Sequence, residues 1–303
     1  MPQPDSLVSR LLPILSGPTS SGRLKKAATL GTLEILSEPG FSRFVGRLAQ
    51  AHFPRPILQA ALKAYIAKYN VDVSEARFPL EHYKSFDAFF TRELKEGIHT
   101  IADDADIMVS PVDGRILNMG RVAEGSIDQV KGRNYRLDEL LDSGADAERF
   151  GNGTYVTIYL SPRDYHRIHC PVKGKITGYR YVPGRLYPVN ATGVGNVDRL
   201  FAVNERLITY VKSALGDVAV VKVGATNVGM ITASYHPITT NVGRRTAYDE
   251  RFRKSLPIGR GAELGQFHLG STVVLIVANP KLEGVDLALE QFVRMGQPLL
   301  RLQ

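Results

Sequence analysis

The stretch "FHLGSTVVLIV", Phe267 to Val277, governs how the rest of the chain is read. From Val273 to Val277 the residues are apolar and mostly β-branched without interruption, the pattern of a strand buried on both faces. Immediately upstream stand Gly270, Ser271 and Thr272. A flexible residue followed by two hydroxyls at a strand entrance is either a plain turn or a place where the backbone itself reacts. Working outward, "YVTIYL" and "AVVKVGA" repeat the strand texture between Gly, Pro, Asn and Asp punctuation, so the chain beyond about residue 105 reads as mainly β. One helix is expected at "RLDELLDSG", ending near Gly144. "SPVDGRIL" (Ser110–Leu117) and "CPVKGKIT" (Cys170–Thr177) share Pro-Val-x-Gly-x-Ile, each reading as a hairpin turn feeding a strand, and suggest two related halves.

The N-terminal third has a different period. In "FSRFVGRLAQAHF" Phe41, Phe44, Val45 and Leu48 fall at helical spacing, with Arg43 and Arg47 off the stripe. After "FPRP", Leu58, Ala61, Leu62, Tyr65, Ile66 and Tyr69 form a second apolar face, with Lys63 and Lys68 away from its centre. Apolar faces opposed by Lys and Arg suit a helix lying in a membrane interface, and equally a helix docked on its own core. The two readings coexist if one helix docks and the other meets lipid. A third helix is predicted in "YKSFDAFFTREL", with Ser85 as its N-cap and Phe86, Phe89 and Phe90 on one face.

A chain of 303 residues with 44% hydrophobic and 22% charged residues has the composition of an ordinary globular protein. Its single cysteine, Cys170, excludes an internal disulfide and a multi-cysteine zinc site. No signal peptide is evident, and the apolar runs fall short of the roughly 18 residues that span a bilayer. The net charge of +8 is concentrated: residues 1–70 hold nine Lys/Arg against three acids. That asymmetry favours an anionic partner surface. Acidic lipid fits better than nucleic acid, for which no binding motif is present.

The densest reactive cluster is "SPRDYHRIHCP", Ser161 to Pro171, with His166 and His169 beside Asp164 and Arg167. Two histidines together suit proton transfer, although hydrogen-bonded structural histidines would look the same. His-x-x-His offers two metal ligands but no third stands nearby, so no metal is expected. Asp113 in "SPVDGRI" reads alone as a turn residue, and Cys170 as a small buried one. With Ser271 they complete an Asp113, His169, Ser271 set, in which a carboxylate orients a base and the base activates a hydroxyl. "HLGSTV" is not the Gly-x-Ser-x-Gly elbow of ordinary hydrolases. The serine's nearest electrophile is the carbonyl of Gly270.

Together, "FFTREL", "SPVDGRI", "YLSPRDYHRIHCPVKGKI", "LFAVNERL", "VGATNVG" and "GQFHLGSTV" resemble the phosphatidylserine decarboxylases in their bacterial short form, from about Phe41 to the C-terminus. The resemblance implies a self-processing proenzyme. Ser271, activated by His169 with Asp113 behind it, would attack Gly270, dividing the chain into a β chain, 1–270, and an α chain, 271–303. Ser271 would become a covalent pyruvoyl group, which forms a Schiff base with substrate in place of a separate cofactor. His166 would serve the second reaction, holding substrate or delivering the proton, and phosphatidylethanolamine and CO₂ would result.

The expected fold class is α+β: N-terminal amphipathic helices followed by a mainly antiparallel β sandwich or barrel-like catalytic domain. Residues 1–40 are expected to be a variable basic extension, 41–100 a helical membrane-associating region and 101–303 the catalytic domain. The expected partners are an anionic phospholipid membrane with phosphatidylserine in it, the α and β chains of one precursor and no nucleic acid, with a homodimer left open. The expected location is peripheral, on the cytoplasmic face of the bacterial cell membrane. The alternatives are a serine hydrolase using Asp113, His169 and Ser271 on an external ester, a non-catalytic lipid-binding protein, and a pyruvoyl decarboxylase of a soluble amino acid. His268, two residues before the expected cleavage site, and His236 receive no role.

Overall fold

A computed structural model describes residues 37–129, 133–226 and 230–303. The basic residues before position 37, and part of the "VGATNVG" motif, lie outside the described residues.

Among the described residues three α-helices come first: α1 (Pro39–Gln50), α2 (Arg55–Tyr69) and α3 (Phe86–Phe90). Proline opens α1 and α2, where its missing N–H costs no helical bond. The Ser85 hydroxyl caps α3 by accepting the Ala88 N–H at 3.1 Å, as predicted. The helices use their apolar faces differently. In α2, Leu58 and Leu62 are buried and pack with Val71, Tyr83 and Phe89. In α1 the stripe turns outward: Phe44 and Leu48 are 65% and 51% exposed, while Ser42 and Ala49 are buried.

The strands are β1 (Ile107–Val109), β2 (Gly114–Arg121), β3 (Ser126–Gln129) and β4 (Arg133–Arg136), followed after two short helices by β5 (Thr154–Leu160), β6 (Arg167–His169) and β7 (Gly174–Val182). Then come β8 (Arg206–Ser213), β9 (Gly216–Val223), β10 (Met230–Ala233), β11 (Tyr248–Ile258), β12 (Glu263–His268), β13 (Ser271–Val277), β14 (Leu282–Gly284), β15 (Phe292–Val293) and β16 (Pro298–Leu302). Eight form one antiparallel sheet in the order β11-β7-β8-β9-β13-β5-β2-β15, and two three-stranded sheets are ordered β1-β16-β14 and β10-β12-β6.

The class is α+β, as expected, but the sheet order is linear and no barrel closes among the described residues. β13 lies deep in the large sheet and is buried at every position. Val273, Leu275 and Val277 face a core shared with the small sheets, through Ile168, Leu264, Phe267 and Leu300. Val274 and Ile276 face a second core capped by short helices, through Leu140, Phe150 and Phe201. Burial on both faces is why the run is apolar without alternation.

Two expectations are corrected. The helix at "RLDELLDSG" stops at Leu141, because Asp142 takes a left-handed conformation with φ 51°. A second helix then opens at Gly144, with the Ser143 hydroxyl accepting the Asp146 N–H. The two Pro-Val-x-Gly segments are corners between sheets, not hairpins. Each carries the chain from a strand of a small sheet, β1 or β6, into a strand of the large one, β2 or β7. The corners also bind each other reciprocally: Val109 N–H donates to the Pro171 carbonyl, and His169 N–H to that of Pro111. Ser110 Oγ and Cys170 Sγ each donate to the carbonyl two residues on. The sequence echo is therefore a local pseudo-symmetry, and it brings Asp113 and His169 to one place.

Candidate active site

The two-residue link between β12 and β13 is the most constrained point of the site. Leu269 has φ +84° and Gly270 φ +43°. Glycine adopts such angles freely, but a leucine there stores about 1–3 kcal/mol. Ser271 then enters β13, paired with Leu160 of β5 on one side, while Thr272 pairs with Val223 of β9 on the other. The Ser271 side chain is fully buried and its Oγ has no hydrogen-bond partner. An unpartnered buried hydroxyl is costly, and Thr272 Oγ1 beside it is unpartnered too; what sets Ser271 apart is its place directly after the left-handed link.

The loop leaving Leu160 carries the histidines. Ser161 N–H donates to Asp164 Oδ2 at 2.6 Å, closing the loop. Burial pushes the Asp164 carboxyl up to about 6. His166 is fully buried, with the Phe90 ring of α3 tilted against it at a centroid distance of 4.0 Å. Its Nδ1 donates to the Asp164 carbonyl at 2.8 Å, which leaves Nε2 as the basic nitrogen, and Nε2 has no partner. Burial brings the pKa of His166 down to about 3, so the ring is neutral.

His169 has the same tautomer for a similar reason. Nδ1–H donates to the Gly261 carbonyl at 2.7 Å, and Nε2 accepts the Tyr165 hydroxyl at 3.0 Å. Burial lowers its pKa too, favouring a neutral base. Asp113 is buried in the same cluster but does not hydrogen-bond His169. Its Oδ1 accepts His99 Nε2 at 2.8 Å and the Met295 N–H at 2.7 Å. The His99 ring packs against Tyr165, with centroids 5.2 Å apart. The chain of contacts thus runs Asp113, His99, Tyr165, His169. Sequence reading missed His99 and passed over Tyr165, although Tyr165 stands inside the quoted motif. His99 had no signal beyond its residue type.

Two cavities flank the 161–165 loop. One of about 610 Å³ is lined by Leu48, Ile57, Tyr65, Phe86, Phe90 and Gly270, so the Gly270–Ser271 junction opens on an apolar chamber walled by all three helices. The other, about 260 Å³, is polar, and Asp113, Asp164, Tyr165, Arg92, Arg163 and Arg294 line it. Pro162 faces the first and its neighbours Arg163 to Tyr165 the second. Arg92 is buried with Nε and Nη1 unpartnered. Of the other sequence candidates, Cys170 is buried and burial raises its thiol to about 11, which removes it as a nucleophile.

The arrangement offers a free hydroxyl beside a strained peptide, a neutral imidazole with an open nitrogen, and a chamber shaped for an apolar ligand. Among known proteins, the family model described as phosphatidylserine decarboxylase matches residues 86–301. A phosphatidylserine decarboxylase proenzyme of Myxococcus xanthus is 44% identical over 266 residues, covering 88% of this chain and 95% of that one. The proenzymes of the same description from Brevibacillus brevis and Anaeromyxobacter sp. are each 43% identical over 274 residues, covering 89% of this chain and 96% of theirs.

Proposed function

This chain belongs to the phosphatidylserine decarboxylase family, and from that premise we propose that it cuts itself between Gly270 and Ser271 and then decarboxylates phosphatidylserine. It is a carboxy-lyase made as a proenzyme, and its products are phosphatidylethanolamine and CO₂. The observation that carries the residue assignment is the unpartnered, buried Ser271 Oγ following a left-handed Leu269–Gly270 link.

In the first reaction the Tyr165 hydroxyl turns away from His169 Nε2, and the Ser271 hydroxyl oxygen adds to the Gly270 carbonyl carbon while His169 takes its proton at the freed Nε2. The Gly270–Ser271 C–N bond breaks, the proton passes to the released amine, and an ester remains. A base then removes the Cα proton of residue 271. The Cβ–O bond breaks and Gly270 departs as a carboxylate. The remaining enamine tautomerises, and water replaces its nitrogen, which leaves as ammonia. Before the first proton transfer Tyr165 holds the His169 ring in place, and Asp113 acts from behind through His99. Residue 271 fits the group so formed, since it lies dry, paired with β5 next to a Thr272 held by both β5 and β9, and open on one side through Gly270.

The N-terminal pyruvoyl group supplies a ketone that takes up the substrate amine and accepts the electron pair left by CO₂. His166, neutral and with Nε2 open, takes at Nε2 the proton that the substrate ammonium sheds and returns it to the substrate carbon. The apolar chamber takes the lipid portion, and the outward face of α1 with Arg43 and Arg47 brings the site to an anionic membrane. No helix among the described residues is long and apolar enough to cross a bilayer, and the proposed attachment is peripheral, on the cytoplasmic face.

Denaturing mass spectrometry tests the reading. Wild type should give residues 1–270 and a pyruvoyl-capped 271–303, which stay together in native mass spectra because β13 is held by β5 and β9. Ser271→Ala and His169→Ala should each remain one chain. A single wild-type species at full mass with an unmodified serine would overturn self-cleavage.

A further inference from the structure

We propose that His268, clamped by Asp87 and Thr232, is a positioning residue that holds the Leu269–Gly270 link in its cleavable conformation. The inference rests on the self-cleavage reading and deepens it. On the C-terminal side of the link, Ser271 pairs with Leu160 of β5, and Thr272 with both Tyr159 of β5 and Val223 of β9. On the N-terminal side the last strand residue is likewise held along one edge. β6 pairs with β12 as far as Gln266 and the Phe267 N–H reaches the His166 carbonyl, so at its last residue β12 has one strand neighbour, through Met230. A link that places a leucine at φ +84° relaxes unless both ends are held.

The His268 side chain adds a second hold there. Its Nδ1 lies 2.8 and 3.0 Å from the two carboxylate oxygens of Asp87, and its Nε2 lies 3.1 Å from Thr232 Oγ1. A carboxylate only accepts, so Nδ1 carries a proton and donates it. Both side chains are largely buried, with 13% of each exposed, which limits screening by water. Asp87 belongs to α3, itself fixed by the Ser85 cap and by the Thr91 hydroxyl donating to the Asp87 carbonyl. Phe86 and Phe90 of that helix line the apolar chamber together with Leu269 and Gly270. The clamp therefore ties the scissile link to the wall of the chamber it opens on.

The proton of Ser271 goes to His169, and both ring nitrogens of His268 are engaged, by Asp87 and by Thr232. Its action is geometric. Misplacing reacting atoms by about an ångström slows a reaction by roughly 100-fold. His268→Ala should therefore slow self-cleavage by about 10- to 100-fold, and Asp87→Ala should do the same. The double variant should be no slower than either single one, since one clamp is removed in each case.

The test follows cleavage of freshly translated precursor by denaturing mass spectrometry, alongside circular dichroism melting of each variant. Asparagine sets its amide nitrogen near the place of Nδ1, and glutamine reaches toward Nε2. His268→Asn should restore most of the rate by keeping the Asp87 bond, and His268→Gln should not. Wild-type cleavage rates in His268→Ala and Asp87→Ala would overturn the proposal. So would equal losses in the Asn and Gln variants accompanied by a fall in melting temperature, which indicate a structural role alone. A wild-type precursor that never divides would instead refute the self-cleavage reading beneath it.

Discussion

At the scale of the residue, burial sets what each histidine does. His166 holds its one N–H on a backbone carbonyl and keeps Nε2 open. His166→Ala should still divide into two chains yet lose decarboxylation, measured as CO₂ release from phosphatidylserine vesicles; wild-type turnover would remove it from the reaction. Its pKa lies near 6.5 in an unfolded chain and about 3 in the folded one. The unfolded state thus binds the extra proton between those values, so stability falls as pH drops from about 6.5 toward 3. His166→Gln should flatten that acid limb in urea midpoints measured from pH 7 to 4. His99 acts on stability through Asp113. Removing its ring in His99→Ala leaves Asp113 buried with the Met295 N–H as its remaining bond among those described. A loss of about 1–3 kcal/mol in chemical denaturation is expected.

At the scale of the element, the large sheet carries an unusual residue. Lys222 of β9 is fully buried, donating to Thr209 Oγ1 and lying over the Tyr235 ring. Burial brings its pKa from 10.5 to about 7. Between those values the unfolded chain holds the proton and the folded one does not, so stability rises with pH across that window. The cost of burying the amine is therefore full below about 7 and gone above about 10.5. Lys222→Met, close in shape and without charge, should raise the melting temperature most at pH 6 and least at pH 10. An unchanged difference across that range would show that the amine is not desolvated. The corners between sheets are equally demanding: a Cβ at Gly114 or Gly174 would stand 2.5 or 2.4 Å from a strand carbonyl. That approach, rather than turn flexibility, accounts for the glycine in both Pro-Val-x-Gly motifs.

At the scale of the whole molecule, the site sits between a rigid sheet and a helical cover whose outer face is apolar. Phe41, Phe44, Leu48, Phe53 and Ile57 are all exposed large hydrophobics of this region. Fully burying such a side chain gains about 1.5–3 kcal/mol. Replacing Phe44 and Leu48 together with serine should therefore weaken co-sedimentation with phosphatidylserine vesicles by on the order of 100-fold, with self-cleavage intact. Binding of the wild type should also weaken as salt rises, because the basic contribution is screened. Vesicle binding unaffected by either change would place the membrane contact elsewhere. Much of this was legible in the chain. Helical and strand periods located α1, α2, α3 and the buried β13, because repeating side-chain direction is a property of consecutive residues. Ser271, His166 and His169 stood out by chemical type and by their motifs. The outward turn of the α1 stripe was not legible, since a period shows which face is apolar and not what covers it. Nor was the partner of Asp113: a carboxylate in a turn carries no sign that the ring beside it is His99, across β1. The sequence by itself determined the strands, the helices and the reactive side chains. The tertiary structure alone decided which of them touch, because contact depends on how separate elements pack and no local pattern encodes that.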